Sequence, residues 1–333
     1  MSGMMIGRPV GILGTGHYVP EKVLTNAQLE AMVETNDEWI VTRTGIKERR
    51  IAADHQATSD LAYEAAQKAL ANAGIAADQL GLIIVATMTP DVMCPSTACI
   101  LQDKLGAKKA AAFDLAAACS GFVYGLANGA NFVASGMYDY VLVVGAEVLS
   151  RVTDYTDRNT CILFGDGAGA VVLGATEEGR GFEAFELGAD GAGGPLLRGG
   201  CVGGSRYPNK ECLPEGVTHY IWQNGREVFK FAVRIMENLT ESVLAKAGKS
   251  KEDIKLLVPH QANIRIIQAA MDKLELTENE VMINVDRYGN ISAATIPIAL
   301  SEAVEAGRVS KGDTVVLVGF GGGLTWGGAV LTW

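Results

Sequence analysis

The chain has few of the features that mark metal-binding, membrane or nucleic-acid-binding proteins. Its six cysteines form no CxxC pair and only four histidines could join them, which argues against a zinc site. No run of about 20 uncharged apolar residues occurs, and residues 1–10 carry no basic stretch leading into an apolar signal core. The expected compartment is therefore the cytosol, away from any membrane. Basic residues are outnumbered, 28 Lys and Arg against 38 Asp and Glu, for a net charge of −10. Wholesale nucleic-acid binding is not expected, and an acidic partner would have to meet a local basic patch. In a reducing compartment the thiols should be free, each a small buried hydrophobe or a reactive group.

What is present is enough apolar material for a large core: 48% of 333 residues are hydrophobic, and no Pro/Ser linker divides them. Short β-rich runs alternate with Ala-rich stretches. Leu82–Ala86 and Tyr140–Gly145 read as strands, Asp60–Ala73 and Phe122–Ser135 as helices, so the class is α/β. Runs such as Val141–Val144 suit strands covered on both faces. The second half echoes the first. Cys119, an apolar helical stretch, the strand at 141–145, a Gly-rich segment and Gly169–Leu173 are matched in order by Asn290, residues 291–306, Thr314–Gly319, a Gly-rich segment and Gly328–Leu331. The non-periodic, Gly-rich stretch Gly188–Gly216 reads as a loop passing over a site.

Three residues invite chemistry. Cys119 sits where an extended segment, Asp114–Ala118, runs into a helix with Phe122, Leu126, Ala130 and Val133 on its apolar face. Free N–H groups and the helix dipole at such a junction favour thiolate, the form that attacks a thioester, although a Cys among alanines equally suits a buried spectator. His260 ends the apolar run Leu256–Pro259 and precedes a helix carrying Ile264, Ile267, Met271 and Leu274 on one face. A neutral imidazole there can donate to a carbonyl that gains negative charge, or be a satisfied structural His. Asn290 follows Tyr288-Gly289 and offers an amide donor or simply closes a turn; Pro297 moves the start of the next helix toward Thr295. The run Gly165–Ala170 matches GxGxxA, but Val171-Val172-Leu173 then reads as a strand where a dinucleotide site needs a helix, so tight packing is the better reading.

Taken with Gly319–Gly323, Thr35–Ile46 and Phe164–Ala170, these segments give the chain, over nearly its whole length, a form that resembles the 3-oxoacyl-acyl-carrier-protein synthase III family of thiolase-fold condensing enzymes. The resemblance implies two similar halves, 1–178 with the Cys and 179–333 with the His and Asn, packed as one compact unit of five layers (αβαβα), and a homodimer. It implies decarboxylative Claisen condensation of an acyl-CoA primer with malonyl-acyl carrier protein, initiating fatty-acid synthesis through acyl–Cys119. It further implies that His260 and Asn290 hold the malonyl thioester and that the N–H groups of Cys119 and Gly322 form an oxyanion hole. Trp39, Arg43, Arg158 and Asn263 would surround coenzyme A, a substrate here, with no metal or organic cofactor required. Lys230, Arg265 and Lys273 would dock the carrier, with Asp272 a departure from the family's basic pattern. Cys94 would replace a bulkier primer-pocket residue contributed across the dimer, admitting branched or longer primers. A polyketide or secondary-metabolite starter enzyme, a non-catalytic acyl-CoA binder and a Cys-dependent acyl hydrolase are the alternatives. A thiolase proper would need a second Cys near the C-terminal Gly-rich segment, and none follows Cys212.

Overall fold

The computed structural model describes residues 7–200 and 203–333; the readings made on residues 1–6 and on Cys201 lie outside the described residues. The strands up to residue 175 are β1 (Val10–Tyr18), β2 (Lys22–Thr25), β3 (Glu48–Ile51), β4 (Leu82–Ala86), β5 (Ala111–Leu115), β6 (Tyr140–Val148) and β7 (Asp166–Ala175). Among them lie helices α1 (Asn26–Glu30), α2 (Asp37–Thr44), α3 (Thr58–Ala73), α4 (Thr97–Leu105) and α5 (Gly121–Ala134). There follow β8 (Gly181–Ala189), β9 (Leu197–Arg198), β10 (Trp222–Gln223), β11 (Leu256–Pro259), β12 (Thr314–Gly321) and β13 (Thr325–Thr332), with α6 (Gly225–Lys246), α7 (Ile264–Leu274), α8 (Val285–Tyr288) and α9 (Thr295–Glu305).

Two sheets form the frame, ordered β1-β7-β6-β4-β5 and β11-β12-β13-β8. In the first, β4 runs parallel to β5 and β6 while β7 is antiparallel to its neighbours; in the second, only β11 and β12 are parallel. Helices α5 and α9 lie between the sheets, each touching strands of both, while α3 covers the outer face of the first and α6 that of the second, with α7 packed against α6. The order is α, β, α, β, α: the five-layered thiolase fold. Strands with helices on both faces must be apolar on both faces, and every residue of β4 and β12 is buried.

The chain echo is physical. Cys119 lies in a 3₁₀ turn, Ala118–Ser120, that feeds α5 and then the antiparallel pair β6–β7; Asn290 precedes a 3₁₀ turn, Ser292–Ala294, that feeds α9 and then the pair β12–β13. The two turns open on non-glycine residues with left-handed backbones, Ala118 at φ 47° and Ser292 at φ 46°. Helix α9 starts at Thr295, with Pro297 in its first turn, where its missing N–H costs nothing. The expected loop at 188–216 is less irregular than its composition suggests. β8 continues to Ala189, a 3₁₀ turn spans Gly191–Leu196, and β9 pairs with β10.

Candidate active site

A cavity of about 700 Å³ opens where the two turns meet, and Cys119, His260 and Asn290 all line it. The halves exchange support here. The Cys119 turn packs on β12 of the second sheet, and the Ser292 turn packs on β6 of the first. Both approaches require glycine. A Cβ on Gly321 would stand 2.6 Å from the Cys119 nitrogen, and one on Gly145 would stand 2.4 Å from the Ala293 carbonyl oxygen. The GxGxxA run serves the same end. Gly165 approaches the Tyr288 carbonyl, the Gly165 N–H donates to the Asn290 carbonyl (3.1 Å), and the Asn290 N–H donates to the Leu163 carbonyl (2.8 Å). As expected, the run leads into a strand rather than a helix, and residues 166–170 are already part of β7.

Cys119 is buried, and burial pushes its thiol up to about 12, with the charge of Glu147 acting in the same direction. Its own N–H and the Ser292 hydroxyl pull the other way and lose. The helix junction, which by itself favours thiolate, is present, and removal from water outweighs it. Gly322 lines the cavity beside Cys119. Ser120 and Thr325 knit this region together: the Ser120 hydroxyl is 2.9 Å from Thr325 Oγ1, which lies 3.0 Å from both the Ala117 and Gly322 carbonyl oxygens.

His260 follows β11, and its N–H is held by the Val318 carbonyl at 2.8 Å. Burial lowers its pKa to about 3, so the imidazole is neutral, and Phe320 meets it edge-on at 5.3 Å. Its Nδ1 is 2.6 Å from Thr295 Oγ1. Asn290 Oδ1 accepts the Ser292 N–H at 2.8 Å, which fixes the amide so that its NH₂ group is left for the cavity.

Toward the mouth, the Trp39 indole carries two guanidinium groups, Arg158 Cζ at 4.3 Å and Arg43 Cζ at 4.6 Å from the ring centroid. Asn263 caps α7 and donates from Nδ2 to the Arg43 carbonyl at 2.9 Å. Trp39, Arg43 and Asn263 line the cavity, whereas Arg158 reaches it through Trp39. Lys230 and Arg265 also line it; Lys230 is paired with Glu227 at 2.8 Å, and Arg265 lies over Phe229. Lys273, beside Asp272, is paired with Glu237 and stands apart from the lining. Cys94 is exposed on the segment between β4 and α4, outside the cavity lining of the single chain. The 188–216 excursion supplies Leu197, Arg198 and Gly199, and β10 supplies Trp222, so it does cover the site.

Three contributors were not anticipated. Ser292 contacts Asn290, and Thr295, which follows the same turn, contacts His260. Glu147, fully buried on β6, accepts from the Met88 and Thr89 N–H groups and from the Thr87 and Thr89 hydroxyls, the last at 2.6 Å. It thereby anchors the segment that places Met88 in the cavity wall. Burial holds its carboxyl up at about 7. A carboxylate within the apolar run 140–148 was the available signal for it.

Residues 113–191 match the family described as 3-Oxoacyl-[acyl-carrier-protein (ACP)] synthase III, and residues 244–333 match its C-terminal family. A beta-ketoacyl-[acyl-carrier-protein] synthase III of Desulfitobacterium hafniense is 56% identical over 324 residues, covering 97% of this chain and 98% of the relative. The solved structure of the Thermus thermophilus beta-ketoacyl-[acyl carrier protein] synthase III superposes with a TM-score of 0.91 at 53% identity, covering 97% and 99%. The priming beta-ketosynthase of the R1128 polyketide pathway shares the fold, with a TM-score of 0.91, at 34% identity over 98% of this chain and 97% of that one. With family-level matches in both halves and more than half its residues identical to a full-length relative, the chain belongs to the beta-ketoacyl-[acyl-carrier-protein] synthase III family.

Proposed function

We propose that this condensing acyltransferase works through acyl–Cys119, in two half-reactions that its two turns divide between them. Its overall reaction is the family's: an acyl primer is joined to malonyl-acyl carrier protein, initiating fatty-acid synthesis. In the first half-reaction the Cys119 sulfur attacks the acyl-CoA carbonyl and coenzyme A leaves as a thiol, taking up the proton that Cys119 gives up. The N–H groups of Cys119 and Gly322 stabilise the oxyanion. In the second, the malonyl thioester loses CO₂, its enolate oxygen is held by His260 and Asn290, and the carbanion carbon displaces Cys119 from the acyl group. Neither half-reaction, as written, needs a metal or an organic cofactor. The observation that carries this reading is the meeting of one thiol and two oriented neutral donors in a single cavity.

The Trp39 indole is the proposed platform for the coenzyme A adenine. Arg158 at 4.3 Å leaves no room for an intervening base, so the base takes the place of a guanidinium when it binds. Arg43 and Asn263 flank it, and Arg265 is the most available of the proposed carrier-docking cations because Lys230 and Lys273 already have carboxylate partners. A homodimer is proposed from β5, which among the described residues is an edge strand with a single neighbour, and from the exposed Val92 and Met93 on the segment that carries Cys94. Cys94 would then face the partner's primer pocket and enlarge it. The two halves divide between β7 and β8, at 178/179. No helix among the described residues is long and apolar enough to cross a membrane.

Product analysis with acyl-CoA and malonyl-carrier tests the function. A 3-oxoacyl thioester is the expected product; free acid would indicate a hydrolase, and no product an acyl-CoA binder. Primer competition in the same assay should show isobutyryl- or butyryl-CoA used at rates comparable with acetyl-CoA; a strong acetyl preference would refute the wide pocket.

A further inference from the structure

The second half-reaction requires a proton on the His260 nitrogen that faces the cavity, and a neutral imidazole carries only one. Which nitrogen holds it is decided by what the other one meets. Among the described residues Nδ1 meets one group, the Thr295 hydroxyl, at 2.6 Å. That hydroxyl has one hydrogen and two acceptors within reach, Nδ1 and the Ser292 carbonyl oxygen at 3.0 Å. The Ser292 carbonyl is already served, because the backbone N–H of Thr295 donates to it as the last bond of the 3₁₀ turn. The hydroxyl's contact with Nδ1 is also the shorter of the two, which favours placing its hydrogen there.

We propose that Thr295 is a positioning residue that sets the His260 tautomer: its hydroxyl donates to Nδ1, so the proton resides on Nε2 and points into the cavity as the donor to the enolate oxygen. Ser292 thereby serves both donors. Its N–H engages Asn290 Oδ1 and so leaves the Asn290 NH₂ free, and its carbonyl, by taking the Thr295 N–H, leaves the Thr295 hydroxyl free. The left-handed Ser292 backbone, φ 46°, is what turns these two groups toward their different partners. This inference rests on the function proposed for His260, and its test separates the two.

The direct measurement is ¹⁵N NMR of imidazole-labelled protein. His260 is picked out from His17, His55 and His219 by its loss in His260→Ala. A protonated Nε2 and a bare, hydrogen-bonded Nδ1 are expected, whereas a proton on Nδ1 overturns the proposal. Kinetically, Thr295→Val should accept an acyl group on Cys119 at the wild-type rate, yet condense with malonyl-carrier roughly 10²–10⁴-fold more slowly, with kcat rather than KM carrying the loss. Thr295→Ser, which keeps the hydroxyl, should restore most of the rate. Condensation by Thr295→Val at the wild-type rate, or equal loss of both half-reactions in folded protein, overturns it. If wild-type protein forms no acyl–Cys119 at all, the functional reading fails first and the proposal falls with it. Should Thr295→Val not fold, the wild-type spectrum alone decides.

Discussion

The turn at Ala118–Ser120 and the turn at Ser292–Ala294 share a backbone shape, down to a left-handed first residue, and each leads into a central helix. Their chemistry differs. The first offers a thiol and backbone N–H groups. The second carries no thiol; it contacts side chains on either side of itself, Asn290 before it and, through Thr295, His260 just after β11. In the proposed function, one supersecondary unit used twice would supply acylation from one turn and decarboxylation from the other. Each turn rests on a central strand of the other sheet.

The comparison breaks most sharply if the second turn's donors are removed. His260→Ala and Asn290→Ala should each slow malonyl decarboxylation by about 10²–10⁴-fold while leaving the first half-reaction within a few-fold of wild type, read by single-turnover CO₂ release and by acyl transfer separately. Loss of acylation in both would mean that the division of labour is wrong.

The supporting glycines should sharpen it. Gly321→Ala pushes on the Cys119 nitrogen and should depress acylation, whereas Gly145→Ala pushes on the Ala293 carbonyl and should depress condensation first. Each should also destabilise the fold by about 1–3 kcal/mol, as overpacking does, measured by chemical denaturation. Identical kinetic losses from both would erase the distinction between the turns.

The smallest effect concerns the thiol itself. The Cys119 pKa is raised in the free protein, so the thiolate fraction at neutral pH is small and grows as pH rises. Alkylation of Cys119 by iodoacetamide should therefore keep accelerating above about pH 9, where an ordinary thiol near pKa 8.5 levels off. A plateau near neutral pH would restore the resting thiolate that the helix junction suggested.

The local patterns, a Cys before an apolar helix, a His at a strand end and an Asn after Tyr-Gly, each left a structural alternative open; the resemblance to the condensing-enzyme family singled these residues out, and the fold brings all three to one cavity. The repeat was legible, and Pro297 correctly moved the α9 start to Thr295. What escaped depends on backbone shape. Ala118 and Ser292 adopt conformations normally left to glycine, so neither residue type signals its turn. The roles of Ser292 and Thr295 follow from which carbonyl is already occupied, and Glu147 takes its role from loops that converge only in the fold. The balance that sets the thiol's protonation was not legible, because a helix junction can be read locally whereas the extent of burial cannot.

The central claim, that the first turn alone forms the covalent bond, is tested most directly by intact-protein mass spectrometry after incubation with a range of acyl-CoAs. The account predicts a single acyl adduct on wild type, His260→Ala and Asn290→Ala, mapping to Cys119, and none on Cys119→Ala; an adduct on Cys119→Ala, or on any other cysteine of the wild type, would contradict it.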